Sequence, residues 1–187
     1  MTETGFRGGL AVFSGPSGSG KTSICRTLLE EPRLHLSVSA TTRPPREGEV
    51  HGSDYWFYDE ATFRRMIENG EFVEWAEVYG RLYGTPEVPL REAARDRERT
   101  MLLDIDVQGA SQLRERGIEA LFVFVAPPSL EVLRERLESR GSDDPEVIAR
   151  RLTFAAGEMA RQDLYDHVLV NQDLDATIAS ARGLLGL

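Results

Sequence analysis

The fold of this chain is decided by the stretch Gly15-Pro16-Ser17-Gly18-Ser19-Gly20-Lys21-Thr22, which has the spacing G-x-x-x-x-G-K-[ST]. It follows the apolar run 10–13, and a helical pattern extends from it over residues 22–30 and stops at Pro32. A strand, a glycine-rich loop and a helix in this order form a phosphate loop, because successive backbone N–H groups point at one anion beside the helix N-terminus. The stretch therefore predicts that the chain binds a nucleoside triphosphate.

Side chains of this phosphate loop (residues 15–22) and one carboxylate outside it are predicted to hold the phosphates and a metal ion. Lys21, the only lysine in the chain, should reach the β- and γ-phosphates, and the Thr22 hydroxyl should bind Mg²⁺. The second metal position requires an acid at the end of a neighbouring strand, and Asp104 is the candidate, directly or through a metal-bound water. The residues assigned to ATP here are Gly15, Pro16, Ser17, Gly18, Ser19, Gly20, Lys21 and Thr22.

The rest of the chain repeats the alternation of strand and helix. Apolar runs at 101–105 and 121–125 are each followed by a helical stretch, at 108–116 and 130–140, and the pattern recurs at 167–170 and 173–185. Strand runs without in/out alternation are typical of a parallel sheet covered on both faces. We therefore predict an α/β fold, a three-layer sandwich of the P-loop NTPase type with a central parallel sheet.

Two segments interrupt this alternation within a single domain of residues 1–187. Residues 38–99 carry short aromatic segments between glycines and a helical pattern at 60–69, which predicts a small mixed α+β insertion. Residues 134–151 are rich in arginine and contain glycine, serine and proline, as expected of a hinged helical lid. The core is then made of residues 1–37, 100–133 and 152–187.

Composition and charge exclude several classes of protein. The chain has 187 residues with 22 basic and 31 acidic side chains, a net charge of −9, which argues against a general nucleic-acid or membrane-surface binder. The single cysteine, Cys25, excludes an internal disulfide and a cysteine-based zinc site and fits a reducing compartment. With no apolar run of membrane-spanning length and no secretory signal pattern, we expect a cytoplasmic protein, monomeric or homodimeric.

The insertion carries residues suited to a second, phosphorylated substrate. Arg43 and Arg46 flank a pair of prolines that stiffens the turn, and two guanidinium groups converging on one point suit a phosphate dianion. Hydroxyl groups of Tyr55 and Tyr83 follow, and Glu74 lies among apolar residues. The insertion is therefore the predicted acceptor site of a phosphoryl transfer.

Six segments, in order along essentially the whole chain, closely resemble the guanylate kinases. They are GPSGSGKT (15–22), SATTRPPREGEVHGSDYWF (39–57), EFVEWAEVYGRLYGT (71–85), LDIDVQGA (103–110), APPSLEVLRERLESR (126–140) and YDHVLVNQDL (165–174). The resemblance implies transfer of the γ-phosphoryl group from MgATP to GMP, giving ADP and GDP.

The resemblance also implies a role for individual side chains. The GMP phosphate would be held by Ser39, Arg43, Arg46, Tyr55 and Tyr83, and the guanosine by Glu74, Thr85 and Asp106. Arg136, Arg140 and Arg151 would reach the ATP phosphates from the lid, and Asn171 would lie near the adenine or the lid hinge. The catalytic set is then Lys21, Arg43, Arg136, Arg140 and Arg151.

Side-chain chemistry agrees with these roles. A carboxylate at Glu74 can accept hydrogen bonds from N1–H and N2–H₂ of guanine together, whereas adenine has no donor there, and Thr85 can donate to O6. Arg136 and Arg140 are four residues apart, so they project from the same side of a helix.

Three other functions remain open from the sequence. One is a P-loop kinase for another small phosphorylated acceptor, which a screen of acceptors would distinguish. Another is a non-catalytic, guanylate-kinase-like protein-interaction module, although such modules typically have a degraded phosphate loop. The third is a nucleotide-hydrolysing switch, for which no residue that positions water can be named.

Overall fold

The computed structural model describes residues 9–93, 98–139 and 144–187. In chain order its strands are β1 (Gly9–Ser14), β2 (Leu34–Leu36), β3 (Ala40–Thr41), β4 (Trp56–Phe57), β5 (Phe72–Val78), β6 (Arg81–Pro86), β7 (Thr100–Asp104), β8 (Leu121–Ala126) and β9 (His167–Val170). Its helices are α1 (Lys21–Leu28), α2 (Glu60–Glu68), α3 (Glu87–Ala93), α4 (Val107–Glu115), α5 (Leu130–Ser139), α6 (Pro145–Met159) and α7 (Leu174–Leu185), with a 3₁₀ turn at Gln162–Leu164.

A five-stranded parallel sheet in the order β2-β7-β1-β8-β9 forms the centre of the molecule. The side chains of β1 alternate between two separate cores: Leu10 and Val12 pack with α4, whereas Ala11 and Phe13 pack with α1 and α7. Burial on both faces explains why these strands are apolar throughout. The predicted three-layer α/β fold is confirmed. The edge strand β2 was not predicted, because three residues are too few to show a pattern.

A second, four-stranded mixed sheet lies within the predicted insertion, in the order β4-β3-β6-β5. β5 and β6 form an antiparallel hairpin, β3 runs antiparallel to β6, and β3 and β4 are parallel. Phe63 of α2 stacks on Phe72 of β5 with ring centroids 4.5 Å apart, and together with Ala40 and Leu82 they form a small core. The mixed α+β character of the insertion is confirmed, while its boundaries, 38–99, stay a prediction.

The predicted lid, residues 134–151, falls on two helices that pack against each other. Leu133 and Leu137 of α5 meet Ile148, Leu152 and Ala155 of α6 in a core of their own. α5 and α6 thus extend beyond the predicted lid on either side, and the boundaries of the lid remain a prediction. In the part of the chain that the structure describes, no helix is long and apolar enough to cross a membrane.

Strand direction brings the predicted site together. In a parallel sheet the carboxyl ends of all strands lie at one edge, so the loop after β1 and the residues that follow β7 meet there. The hairpin of β5 and β6 packs against α4, which places the insertion beside the same edge.

Candidate active site

A cleft of about 300 Å³ lies between the phosphate loop, the insertion and α6. The predicted site residues that line it are Gly15, Pro16, Ser17, Gly18, Gly20, Lys21, Thr22, Ser39, Arg46, Tyr55, Glu74, Tyr83, Asp104, Asp106 and Arg151. Residues more than 130 positions apart in the sequence therefore share one cavity. Val78, Tyr79 and Glu158 also line it, and none of these three was predicted.

The phosphate loop curls against a buried amide that fixes its shape. Gly20 has φ +95°, and a Cβ there would lie 2.1 Å from Nδ2 of Asn171, so only glycine fits. The same Nδ2 donates a 2.7 Å hydrogen bond to the carbonyl oxygen of Ser19. Helix α1 begins at Lys21, so the partial positive charge of its N-terminus faces the loop.

Lys21, Thr22 and Asp104 form a compact polar group at the end of β7. Nζ of Lys21 lies 2.5 Å from Oδ1 of Asp104, and Oγ1 of Thr22 donates a 3.1 Å hydrogen bond to Oδ2. Burial opposes the charge of Lys21, but the attraction and hydrogen bond of Asp104 outweigh it, so the pKa of Lys21 lies above its usual value. A hydroxyl beside a carboxylate supplies the oxygen ligands that Mg²⁺ prefers, so these residues fit the metal predicted here.

Two residues predicted near ATP lie beneath the phosphate loop. Asn171 is only 4% exposed, and besides its bond to Ser19 its Oδ1 accepts a 3.2 Å hydrogen bond from Oγ1 of Thr177. Arg136 donates from Nη2 to the carbonyl oxygen of Asn171 at 2.8 Å and from Nη1 to that of Ser19 at 3.4 Å. In this arrangement both side chains support the loop, and their contact with ATP stays a prediction.

Arg151 approaches the phosphate loop from α6. Its Nη1 donates a 2.9 Å hydrogen bond to Oγ of Ser17, and its guanidinium carbon lies 5.3 Å from the centre of the Tyr79 ring. The predicted lid arginine Arg140 lies outside the described residues.

Four of the five residues predicted to hold the acceptor phosphate line the cleft. Arg46, Tyr55 and Tyr83 line the cleft, with the two tyrosine rings edge to face at 6.1 Å. The Arg43 guanidinium, however, pairs with Glu49 through two hydrogen bonds of 2.9 Å and lies 5.4 Å from the Tyr55 ring centre. Arg43 is thus paired with a carboxylate of the same turn, and the convergence of Arg43 and Arg46 on a phosphate stays a prediction.

Glu74 is a buried carboxylate that lines the cleft. It is 3% exposed, and its Oε1 accepts a 2.5 Å hydrogen bond from Oγ1 of Thr85, the neighbouring residue on β6. Burial raises the pKa of Glu74 to about 7; the hydrogen bond from Thr85 opposes this shift and the charge of Asp106 adds to it. A buried carboxylate that lines a cleft is suited to accept hydrogen bonds from the N–H donors of a base.

The helix α4 begins directly under this carboxylate. Asp106 caps the helix by accepting a 2.9 Å hydrogen bond from the backbone N–H of Gly109 and also lines the cleft. A Cβ at Gly109 would lie 2.4 Å from Oε2 of Glu74, so the absence of a side chain at this position makes room for the carboxylate.

Four residues of the site were missed by the sequence analysis. Glu49 holds Arg43, Gly109 makes room for Glu74, and Tyr79 lies under Arg151. Glu158 of α6 lines the cleft, and burial raises its pKa to about 7. A carboxylate between small and apolar residues, as in Ala155-Ala156-Gly157-Glu158-Met159, was the signal available for Glu158. The contacts of Gly109 and Tyr79 join segments that are distant in the sequence, and that of Glu49 depends on the shape of a turn, so the sequence does not show them.

Comparison with known proteins gives a consistent result. A family model described as guanylate kinase matches residues 8–185. The guanylate kinase of Gluconobacter oxydans is 49% identical over 187 residues, covering 99% of this chain and 89% of that protein. That of Carboxydothermus hydrogenoformans is 44% identical over 180 residues, covering 96% and 88%. The crystal structure of guanylate kinase from Anaplasma phagocytophilum aligns with a TM-score of 0.79 at 37% identity, covering 96% of this chain and 85% of that one.

Proposed function

The chain belongs to the guanylate kinase family and is an ATP:GMP phosphotransferase, and we propose that the cleft described above carries out the transfer with the residues named there. The proposal is supported by one observation above all. The phosphate loop and the buried pair of Glu74 and Thr85 line or adjoin the same cavity, so a triphosphate and a guanine base have facing sites.

On the donor side, the backbone N–H groups of the phosphate loop and the N-terminus of α1 hold the ATP phosphates. Lys21 leaves its pairing with Asp104 to contact the β- and γ-phosphates, and Arg151 already lies at hydrogen-bond distance from Ser17 of the loop. Thr22 and Asp104 would hold Mg²⁺, which when bound neutralises phosphate charge that builds up during transfer.

On the acceptor side, Glu74 accepts hydrogen bonds from the N1–H and N2–H₂ groups of guanine. Thr85, whose hydroxyl donates to Glu74 in this structure, turns to donate to O6 once the guanine donors take its place. A base that lacks these donors cannot supply these hydrogen bonds to the buried carboxylate, which is the physical basis of the selectivity. Asp106 holds the guanosine from the N-terminus of α4. The GMP phosphate is bound by Ser39, Arg43, Arg46, Tyr55 and Tyr83, with Glu49 keeping the Arg43 guanidinium in place over the Tyr55 ring.

The chemical step needs little from the protein beyond position and charge. The attacking group is an oxygen of the GMP phosphate, which is already ionised at neutral pH, so no general base is assigned. The residues of the cleft align this oxygen with the γ-phosphorus and neutralise the transferring group. Arg136 and Arg140 are proposed to join Arg151 at the phosphates when the lid closes, a movement that also excludes water from the cleft.

An acceptor screen tests this function. Purified protein with ATP and Mg²⁺ is given GMP, AMP, UMP or a sugar phosphate, and the release of ADP is measured. GMP should support the fastest turnover by a wide margin, because only guanine presents both donors to Glu74. If another acceptor outpaces GMP, the assignment of the acceptor site is wrong. If well-folded protein releases no ADP with any acceptor, the residues of the cleft do not form a working phosphotransfer site. We place the reaction in the cytoplasm, where both nucleotides are available.

A further inference from the structure

The tip of the β5–β6 hairpin holds an aromatic residue in an unusual backbone conformation. Tyr79 has φ +51°, and it is the only non-glycine residue with positive φ among the described residues. Tyr79 and Gly80, at φ +74°, are the two residues that connect β5 and β6, and the two-residue turns favoured in hairpins take positive φ at both positions, although a bulky aromatic residue is uncommon there. From this turn, the Tyr79 ring contacts residues outside the hairpin.

Those contacts cross the cleft from the acceptor insertion to α6. The Tyr79 ring meets the Phe154 ring edge to face, with centroids 5.4 Å apart and planes at 81°. Its face also lies 5.3 Å from the guanidinium carbon of Arg151, within the range of a cation–π interaction. Arg151 and Phe154 are three residues apart on α6, so they lie on the same face of that helix and meet one ring.

The arginine held in this way is the one that reaches the phosphate loop. Nη1 of Arg151 donates its 2.9 Å hydrogen bond to Oγ of Ser17. Arginine has a long side chain with many rotamers, and a hydrogen bond at its end does not by itself fix the plane of the guanidinium. A ring on one side and a hydroxyl on the other restrict it to one orientation over the loop.

We propose that Tyr79 and Phe154 form an aromatic clasp that positions Arg151 for phosphoryl transfer, so that the placement of this arginine depends on the acceptor insertion lying against α6. Tyr79 is a positioning residue in this proposal, because it acts through Arg151. The exposure of Phe154, 54%, agrees with this role, since an aromatic side chain so open to solvent adds little to the core. The inference rests on the proposed function, in which Arg151 contacts the transferring group.

The test compares Tyr79→Asn with Tyr79→Phe. Asparagine tolerates positive φ, so it keeps the turn and removes the ring, whereas phenylalanine keeps the ring and removes only the hydroxyl. We expect Tyr79→Asn to lower kcat about tenfold while KM for ATP and for GMP changes little, and Tyr79→Phe to keep wild-type kcat. Phe154→Ala should lower kcat in the same way from the other side of the clasp. Val88→Ala, an exposed apolar position of the insertion, is the matched control.

A double variant separates positioning from a general structural effect. In an Arg151→Ala background, Tyr79→Asn should cause no further loss of kcat, because the group it positions is absent. If the two losses multiply, or if Tyr79→Phe loses as much as Tyr79→Asn, the clasp proposal is wrong. Should Tyr79→Asn fail to fold, Phe154→Ala is measured in its place, in the wild-type and Arg151→Ala backgrounds, with the same expected results.

The proposed function can fail separately from the clasp. If Arg151→Ala leaves kcat unchanged, the assigned role of Arg151 in the transfer is wrong. The proposal that Tyr79 and Phe154 position Arg151 for that role is then wrong as well. If Arg151→Ala is slow while Tyr79→Asn and Phe154→Ala are both as fast as wild type, the site assignment stands and only the clasp is overturned.

Discussion

The two ends of the cleft are built in opposite ways. The phosphate loop is one continuous stretch, residues 15–22, which presents backbone N–H groups and a lysine beside the N-terminus of α1. The guanine end is assembled from side chains of three elements: Glu74 of β5, Thr85 of β6 and Asp106 at the start of α4. The difference follows from the ligands, since phosphates need several converging donors, whereas one base is distinguished from another by a few donors and acceptors.

The charges at the two ends differ as well. Lys21 and Asp104 form an ion pair with Nζ and Oδ1 2.5 Å apart. Glu74 accepts a hydrogen bond from the Thr85 hydroxyl, and burial raises its pKa to about 7. We therefore expect changes at the loop to act mainly on turnover, and changes at the guanine end to act mainly on the binding of GMP. The following variants test this division.

Lys21→Met should have the largest effect, lowering kcat by about 10²–10³-fold because it removes a cation aimed at the transferring phosphoryl group. Steady-state kinetics by ADP release is the measurement, and Lys21→Arg is the matched control that keeps the charge but not the compact ammonium. KM for GMP should stay near the wild-type value. A variant with normal kcat would remove Lys21 from the mechanism.

Glu74→Gln should raise KM for GMP by about 10–100-fold, because an amide cannot accept both guanine donors as a carboxylate does. KM for ATP should hardly change. Glu77→Gln is the control, since Glu77 lies on the same strand and is exposed. Equal increases in both KM values would contradict the assignment of Glu74 to the base.

Gly109→Ala should raise KM for GMP about tenfold, because the new methyl group would displace the Glu74 carboxylate, now 2.4 Å from the Cβ position. Gly183→Ala on α7 is the matched control, as a Cβ there meets open space. The control should gain slightly in thermal stability from the better helix former. If Gly109→Ala binds GMP as the wild type does, the packing of Gly109 against Glu74 has no functional consequence.

A further effect, on stability and not on turnover, concerns pH. Burial raises the pKa of Glu74 from 4.5 to about 7. Between these two pH values the folded protein therefore keeps a proton on Glu74 that the unfolded chain has released. The free energy of unfolding should therefore fall as pH rises from 4.5 to about 7, by at most about 1.4 kcal/mol per pH unit from this group. Two charged groups also act on the pKa of Glu74: Asp106 raises it and Arg116 lowers it.

Urea unfolding of the wild type and of Glu74→Gln at several pH values measures this contribution. The difference between the two proteins isolates Glu74, since Glu158, whose pKa is also raised to about 7, is present in both. The wild type should lose stability relative to the variant over this interval. A difference that does not change with pH would mean that Glu74 is already ionised in the folded protein.

Sequence patterns predicted the regular part of the molecule well. The ends of β1 and β8 lie within one residue of the predicted apolar runs, because burial on both faces of the sheet demands continuous apolar residues. The positions of Asn171 and Arg136 illustrate the limit of this approach. Both support the phosphate loop through the carbonyl oxygen of Ser19, a contact between segments that are 152 and 117 residues apart in the chain.

The sequence by itself determined the α/β fold, the phosphate loop and the family, because each depends on the order and spacing of neighbouring residues. Only the tertiary structure decided that Glu49 pairs with Arg43, that Gly109 makes room for Glu74, and that Tyr79 crosses the cleft to Arg151. These are contacts of a few ångströms whose existence depends on how strands, turns and helices are packed. Local propensity carries no information about such distances, since they are set by the packing of the whole core.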